Sequence, residues 1–219
     1  MIYVAWAALY EGETDSRYYN ALVPRLMTDL VLRSRAQASV IPDGPALKLT
    51  RGTVMEVAKE ACRARDAFHL VFIHADAGGR NTETTLVSRG TAYCEAMHER
   101  CDLLPVRCVT VTPRHETEAW MLADPSAVVQ SLGSRAAAEI LGLPADATQA
   151  ERLVDPKSVL LNALQIVTGR RRRRPNDLAA LYTSIAERQS LTMLRRSASF
   201  VEFERRLEEA LVSIGCLER

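Results

Sequence analysis

FHLVFIHAD, residues 68–76, is the stretch that decides the fold. Phe68–Ala75 (FHLVFIHA) is a short, mostly apolar run, too brief for a helix, and the loop beyond it is closed by Gly78-Gly79. A run of this kind reads as a strand buried on both faces, which belongs to a parallel sheet covered by helices. It delivers Asp76 to a loop. Working towards the N-terminus, Gly52–Arg65 has helical period, with Val54, Val57, Ala58 and Cys62 on one face. Gln37–Ile41 reads as another strand, closed by Pro42-Asp43-Gly44-Pro45. Ile2–Leu9 reads as the first strand and runs into Glu11-Gly12-Glu13-Thr14-Asp15. Thr14 or Asp15 then caps a helix reaching about Arg35, in which Pro24 predicts a kink or an early-turn position.

Towards the C-terminus, Thr82–Arg100 reads as a helix, Leu103–Thr112 as a strand and Thr117–Leu132 as a helix. Strands alternating with helices of this length predict an α/β fold with a mainly parallel sheet flanked by helices. After about Asp124 the strand signal stops. Ala136–Leu141, Pro156–Thr168, Asp177–Arg188 and Phe200–Ile214 all have helical period. The expected organisation is therefore an α/β domain over residues 1–124 and a C-terminal helical appendage over residues 125–219.

The 219 residues are 47% hydrophobic and 25% charged, ordinary for a globular chain and outside the disordered range. A net charge of +1 points to no class of partner. Lysine occurs only at Lys48, Lys59 and Lys157; the dominance of arginine suits phosphate or carboxylate recognition, and equally a GC-rich genome. Cys62, Cys94, Cys101, Cys108 and Cys216 make no CxxC pair, and their odd number reads as free thiols in a reducing compartment. Met1–Trp6 lacks the basic start of a signal peptide, and no apolar stretch approaches membrane-spanning length. A cytoplasmic protein with no membrane partner is expected.

In an open parallel sheet, ligands bind beyond the carboxyl ends of the strands. Three such ends carry acids: Glu11, Asp76, and Glu116 with Glu118. Carboxylates converging on one edge suit a hard cation such as Mg²⁺ or Mn²⁺, which in turn suits phosphodiester chemistry. The bland alternative is that each acid caps a helix N-terminus. His74 is placed to help bind a metal or act as a base, but a histidine near a strand end is more often hydrogen-bonded structure, and the same holds for His115. Arg170, Arg171, Arg172, Arg173 and Arg174 form a run that either engages nucleic-acid phosphates or is a solvated loop. Neither GxxxxGK[ST] nor GxGxxG is present, so no P-loop nucleotide site is expected.

The apolar first strand with EGETD, then FIHAD, PRHETEAWMLAD, DPKSVLLNAL and SASFVEFERRL together resemble the Toprim-like family known as domain of unknown function 4276. The resemblance spans roughly residues 2–210. It implies a Toprim fold and a Mg²⁺-dependent nuclease subunit that cleaves DNA or RNA, partnered by an ABC/SMC-type ATPase in bacterial anti-phage defence, as a homodimer or within a hetero-complex. By position it casts Glu11 as the Toprim glutamate and Asp76 as one aspartate of an Asp-x-Asp pair, and it gives Lys157, in DPK, a place facing the acids or a phosphate. The sequence departs from that pattern at the second aspartate, because the candidate partner positions are His74 and Gly78 and neither is a carboxylate. That departure keeps open a different role, a non-catalytic binding or regulatory subunit of such a complex.

Overall fold

The computed structural model describes residues 2–34, 38–40, 44–78, 84, 86–169 and 175–218. Its central sheet has four parallel strands, with Trp6–Leu9 (β2) and Leu70–His74 (β5) in the middle. Leu47–Lys48 (β4) pairs outside β2, and Cys108–Val111 (β6) pairs outside β5. Ile2–Val4 (β1) leaves this sheet to pair with Ala38–Val40 (β3). The expected single strand over 2–9 is thus two strands. The division falls at Ala5, whose amide donates to His69 Nδ1 at 3.2 Å and whose carbonyl accepts the His69 amide at 2.8 Å. Position 69 takes both ladder bonds at Ala5, so the chain changes partner there.

Side-chain alternation along the strands builds two cores. Trp6, Ala8, Leu70, Phe72, Val109 and Val111 face one layer, while Ala7, Leu9, Val71, Ile73 and Cys108 face the other. The second layer is Val54–Arg63 (α2) with Ala92–Cys101 (α3). α2 starts on a reciprocal capping box between Thr53 and Glu56, which satisfies two amides that the first turn leaves unpaired.

The larger layer contains Glu13–Arg33 (α1), Thr117–Met121 (α4), Pro125–Ser131 (α5), Ala147–Ala150 (α6), Pro156–Thr168 (α7), Pro175–Arg188 (α8), Leu191–Leu194 (α9) and Ala198–Ser213 (α10). α8 packs along α1 and α10 packs on β6. Leu160, Tyr182, Phe200 and Phe203 therefore belong to the same apolar core as Trp6, Tyr19 and Phe72. The helices after residue 125 complete the cover of the sheet. Fully burying such side chains contributes roughly 1.5–3 kcal/mol each.

Three further expectations are revised. Thr117–Leu132 is two helices, because Asp124 accepts from the Ala127 amide and Pro125 begins a new helix at its first position. Residues 136–141 form turns bonded three residues apart (Ile140 amide to Ala137, Leu141 amide to Ala138) between Gly133 and Gly142, both at positive φ. α1 continues as one helix past buried Pro24. Four of the five cysteines are paired, Cys62 with Cys101 and Cys94 with Cys108, and Cys216 alone is a buried free thiol. The reading of free thiols is corrected, and the inference from them to a reducing compartment goes with it. Spacing hid the pairs because each joins different elements: α2 to α3, and α3 to β6. No helix among the described residues is long and apolar enough to cross a membrane.

Candidate active site

β2 and β5 are register neighbours, Leu9 opposite Ile73, so their carboxyl ends open side by side. Glu11 follows one and Asp76 the other. The Asp76 amide donates to Glu11 Oε2 at 3.3 Å, joining the two loops directly. His74 shares a face with Phe72 and is buried against Tyr19, ring centroids 4.8 Å apart. Its Nδ1 accepts the Glu11 amide at 3.4 Å. In the neutral ring the proton therefore sits on Nε2, which lies 3.1 Å from Asp76 Oδ1 and 3.2 Å from Thr117 Oγ1. Burial pulls the imidazole pKa down, but Asp76, Asp15 and Glu11 together outweigh it and hold it above its usual value. The histidine thus fixes the Glu11 backbone and the Asp76 carboxylate at once.

The loop after β5 is tied to the loop after β6 by three backbone bonds. Ala75 donates to Val111, Ala77 to Pro113, and Gly78 to His115 at 2.9 Å. Gly78 sits at φ +59, a conformation that disfavours side chains, which is a physical reason why the position two after Asp76 carries no carboxylate. These bonds bring the Asp76 loop beside Glu116 and Glu118.

Glu116 occupies the N-cap position of α4 without making a capping bond, and its buried Oε2 has no hydrogen-bond partner among the described residues. Burial first, then the charges of Glu118 and Asp76, raise its pKa against the pull of Lys157. Glu118 behaves differently. It is 2% exposed and accepts from the Tyr182 hydroxyl and from Lys157 Nζ, the latter at 3.3 Å. Through these two contacts Glu118 ties α4 to α7 and α8. Burial would lower the Lys157 pKa, but Glu118, Glu116 and Asp15 overcome that and raise it. Lys157 is accordingly a fixed cation beside the acids.

Helix capping does not explain Glu11 or Glu116. Gly12 caps α1, so Glu11 lies outside that helix, and Glu116 does not use its cap position. One carboxylate that sequence reasoning assigned only to capping stands out. Asp15 acts electrostatically on His74, Tyr19, Lys157 and Tyr182 and so belongs to the same charged group. Its signal in the sequence was a place three residues after Gly12, where a first-turn acid folds back over the glycine; a Cβ there would meet Asp15 Oδ2 at 2.7 Å.

α4 itself is held by Gln189, whose side-chain amide donates to the Trp120 and Met121 carbonyls and whose carbonyl accepts from Tyr18 at 2.7 Å. Beyond Glu11 a cleft of about 510 Å³ opens, lined among others by Arg51, Gly52, Arg89 and Tyr93. Arg89 reaches Glu11 Oε1 at 3.4 Å. Arg51, Arg89 and Tyr182 also escaped the sequence reading, because nothing in their spacing marks them. The run Arg170–Arg174 lies outside the described residues.

Among the described residues no three His, Cys, Asp or Glu side chains converge closely enough to hold a metal ion by themselves. The donors present are hard oxygens, one of them orphaned, the donor type that hard cations take. Mg²⁺ ordinarily takes only one or two carboxylates and leaves its remaining positions to water and substrate phosphates. Compared with protein-family models, with curated proteins and with solved structures, the chain matches none.

Proposed function

We propose that the chain is a Mg²⁺- or Mn²⁺-dependent nuclease subunit of Toprim type, cleaving phosphodiesters of DNA or RNA and working with an ABC/SMC-type ATPase in anti-phage defence. That setting is cytoplasmic. One observation carries the reading: Glu11 and Asp76 stand at the ends of adjacent parallel strands and are joined by a hydrogen bond, with the unpartnered Glu116 Oε2 beside them. Glu11 and Asp76 would hold the ion, with Glu116 as third carboxylate. Such an ion supplies Lewis-acid polarisation of a phosphoryl oxygen.

The other residues act on position and charge. His74 locks the Asp76 carboxylate and the Glu11 backbone, so that neither reorganises when substrate arrives. Lys157, kept cationic by the acids around it, neutralises charge on the phosphoryl oxygens. Tyr182 and Glu118 keep that ammonium in place. In free protein Arg89 pairs with Glu11 and partly offsets the mutual repulsion of the carboxylates.

The test is cleavage of end-labelled DNA and RNA by purified protein, alone and with its ATPase, in Mg²⁺ or Mn²⁺. Glu11→Ala and Asp76→Ala should abolish cleavage while leaving the fold intact. No cleavage under any of these conditions, or undiminished cleavage by both variants, would sink the proposal.

A second reading has an observation of its own. The positions two before and two after Asp76 are a histidine used internally and a glycine at positive φ, so no second aspartate completes the pair. This favours a non-catalytic binding or regulatory subunit of the same complex. Titration calorimetry separates the two, since Mg²⁺ binding that disappears in Glu11→Ala argues for the nuclease.

A further inference from the structure

The cleft beyond Glu11 has a chemistry distinct from the carboxylates. One wall is the turn between β4 and α2, with Arg51, Gly52 and Val54. Another is Arg89 and Tyr93, and the rest is the sheet edge at Leu9–Glu11 and His74–Ala75. The Tyr93 hydroxyl donates to the Gly52 carbonyl at 3.5 Å, which joins the two walls. Arg51 is exposed and has no hydrogen-bond or ion-pair partner among the described residues. Arg89 has Glu11 for partner at 3.4 Å and is half exposed, a contact that a better anion can displace. Two guanidinium forks thus face one cleft beside an aromatic ring. Guanidinium matches phosphate oxygens in bidentate geometry, and an aromatic ring gives any base a stacking surface.

Size then selects the ligand. About 510 Å³ falls within the roughly 300–1,000 Å³ of small-ligand pockets, room for one nucleotide unit. We propose that this cleft is a subsite for one nucleotide unit of a single strand, with its phosphate held by Arg51 and Arg89 and its base against Tyr93. The subsite deepens the nuclease reading, because it opens onto Glu11 and would feed a flanking phosphodiester towards it. A free nucleotide offers the same chemistry and is the other source to be distinguished.

The experiment uses the full chain in EDTA, where no cleavage occurs. Fluorescence anisotropy follows a labelled (dT)12, with unlabelled dTMP and a 12-base-pair duplex as competitors. Arg51→Glu and Arg89→Gln should each weaken (dT)12 binding about tenfold or more. Each should also flatten the slope of log affinity against log salt by roughly 0.7, the single-strand value for one phosphate contact. Tyr93→Phe, which keeps the ring, should bind as the wild type does, whereas Tyr93→Leu should weaken binding with no change of slope. Stronger competition by dTMP than by further strand, per site, would overturn the strand assignment in favour of a free nucleotide. Absent binding, unchanged affinity in both arginine variants, or a duplex competing as well as (dT)12 would overturn the subsite. The nuclease reading fails separately: binding lost in the variants with no cleavage in Mg²⁺ keeps the subsite alone, and cleavage with arginine-independent binding keeps the nuclease alone.

Discussion

Tyr182→Phe removes one oxygen from the core and tests whether Glu118 is a tie or a ligand. The ring stays, so packing in the shared core is preserved, and the loss is the hydroxyl that donates to a carboxylate only 2% exposed. Hydrogen bonds to charged groups contribute roughly 1.5–3 kcal/mol, and leaving a buried charge short of a partner places this site towards the upper end. Lys157 remains, but its side chain is 52% exposed and its pairing is correspondingly screened. We expect destabilisation of about 2–3 kcal/mol, and about 1 kcal/mol or less for Lys157→Met. Urea unfolding followed by tryptophan fluorescence measures both, since Trp6 and Trp120 are fully buried. The same melts repeated in Mg²⁺ address the ligand question. An ion at a hundred times its dissociation constant stabilises by about 2.7 kcal/mol, a shift that should persist in Glu118→Gln and vanish in Glu11→Ala. The reasoning is refuted if Tyr182→Phe costs under about 0.5 kcal/mol, or if Glu118→Gln is the variant that abolishes the Mg²⁺ shift.

Other outcomes follow from the same structure. Gly90→Ala would put a Cβ 2.4 Å from Thr110 Cγ2 on β6, and overpacking of that kind should cost about 1–3 kcal/mol in the same urea assay. Glu151 is buried, which would raise its pKa, but donors from Ser197, Ser199 and the 198–199 amides outweigh that and hold it below the usual range. Its folded value lies below the unfolded one of about 4.3, so its stabilisation is complete above that pH and lost as pH falls through the folded value; Glu151→Gln should flatten stability against pH in that acid window. Reduction should also destabilise: by loop-closure entropy, losing the Cys94–Cys108 bond costs roughly 3 kcal/mol and losing Cys62–Cys101 roughly 4 kcal/mol, their separations being 14 and 39 residues. Thiol titration of the native protein should find Cys216 alone unpaired, and only after unfolding.

The local patterns were legible where each element is strongly determined by its own residues. Leu70–His74 is apolar on both faces, and such a run has few places to go other than the middle of a covered parallel sheet. α2, α7 and α10 lie within a few residues of their expected bounds because Thr53, Asp155 and Ser197 each cap a helix start. Residues 136–141 misled because helical spacing over one and a half turns, closed by glycines at both ends, is satisfied equally by consecutive turns. Glu11, Asp76 and Glu116 could be picked out because strand ends collect on one edge.

What the sequence determined alone was the α/β class, the buried central strand and the acids after the strands, since hydrophobic period and chain punctuation are local properties. Only the tertiary structure decided which acids remain open. Glu118 and Glu116 lie two residues apart on the same short segment, yet one is taken by Tyr182 and Lys157 and the other keeps a buried oxygen without a partner. Tyr182 arrives from 64 residues away, as does the His69 that divides the first strand at Ala5. The cysteine pairs were decided in the same way. Each is a contact between elements brought together by burial of the two cores, and local spacing carries no record of which distant side chain will fill the last coordination of a buried charge.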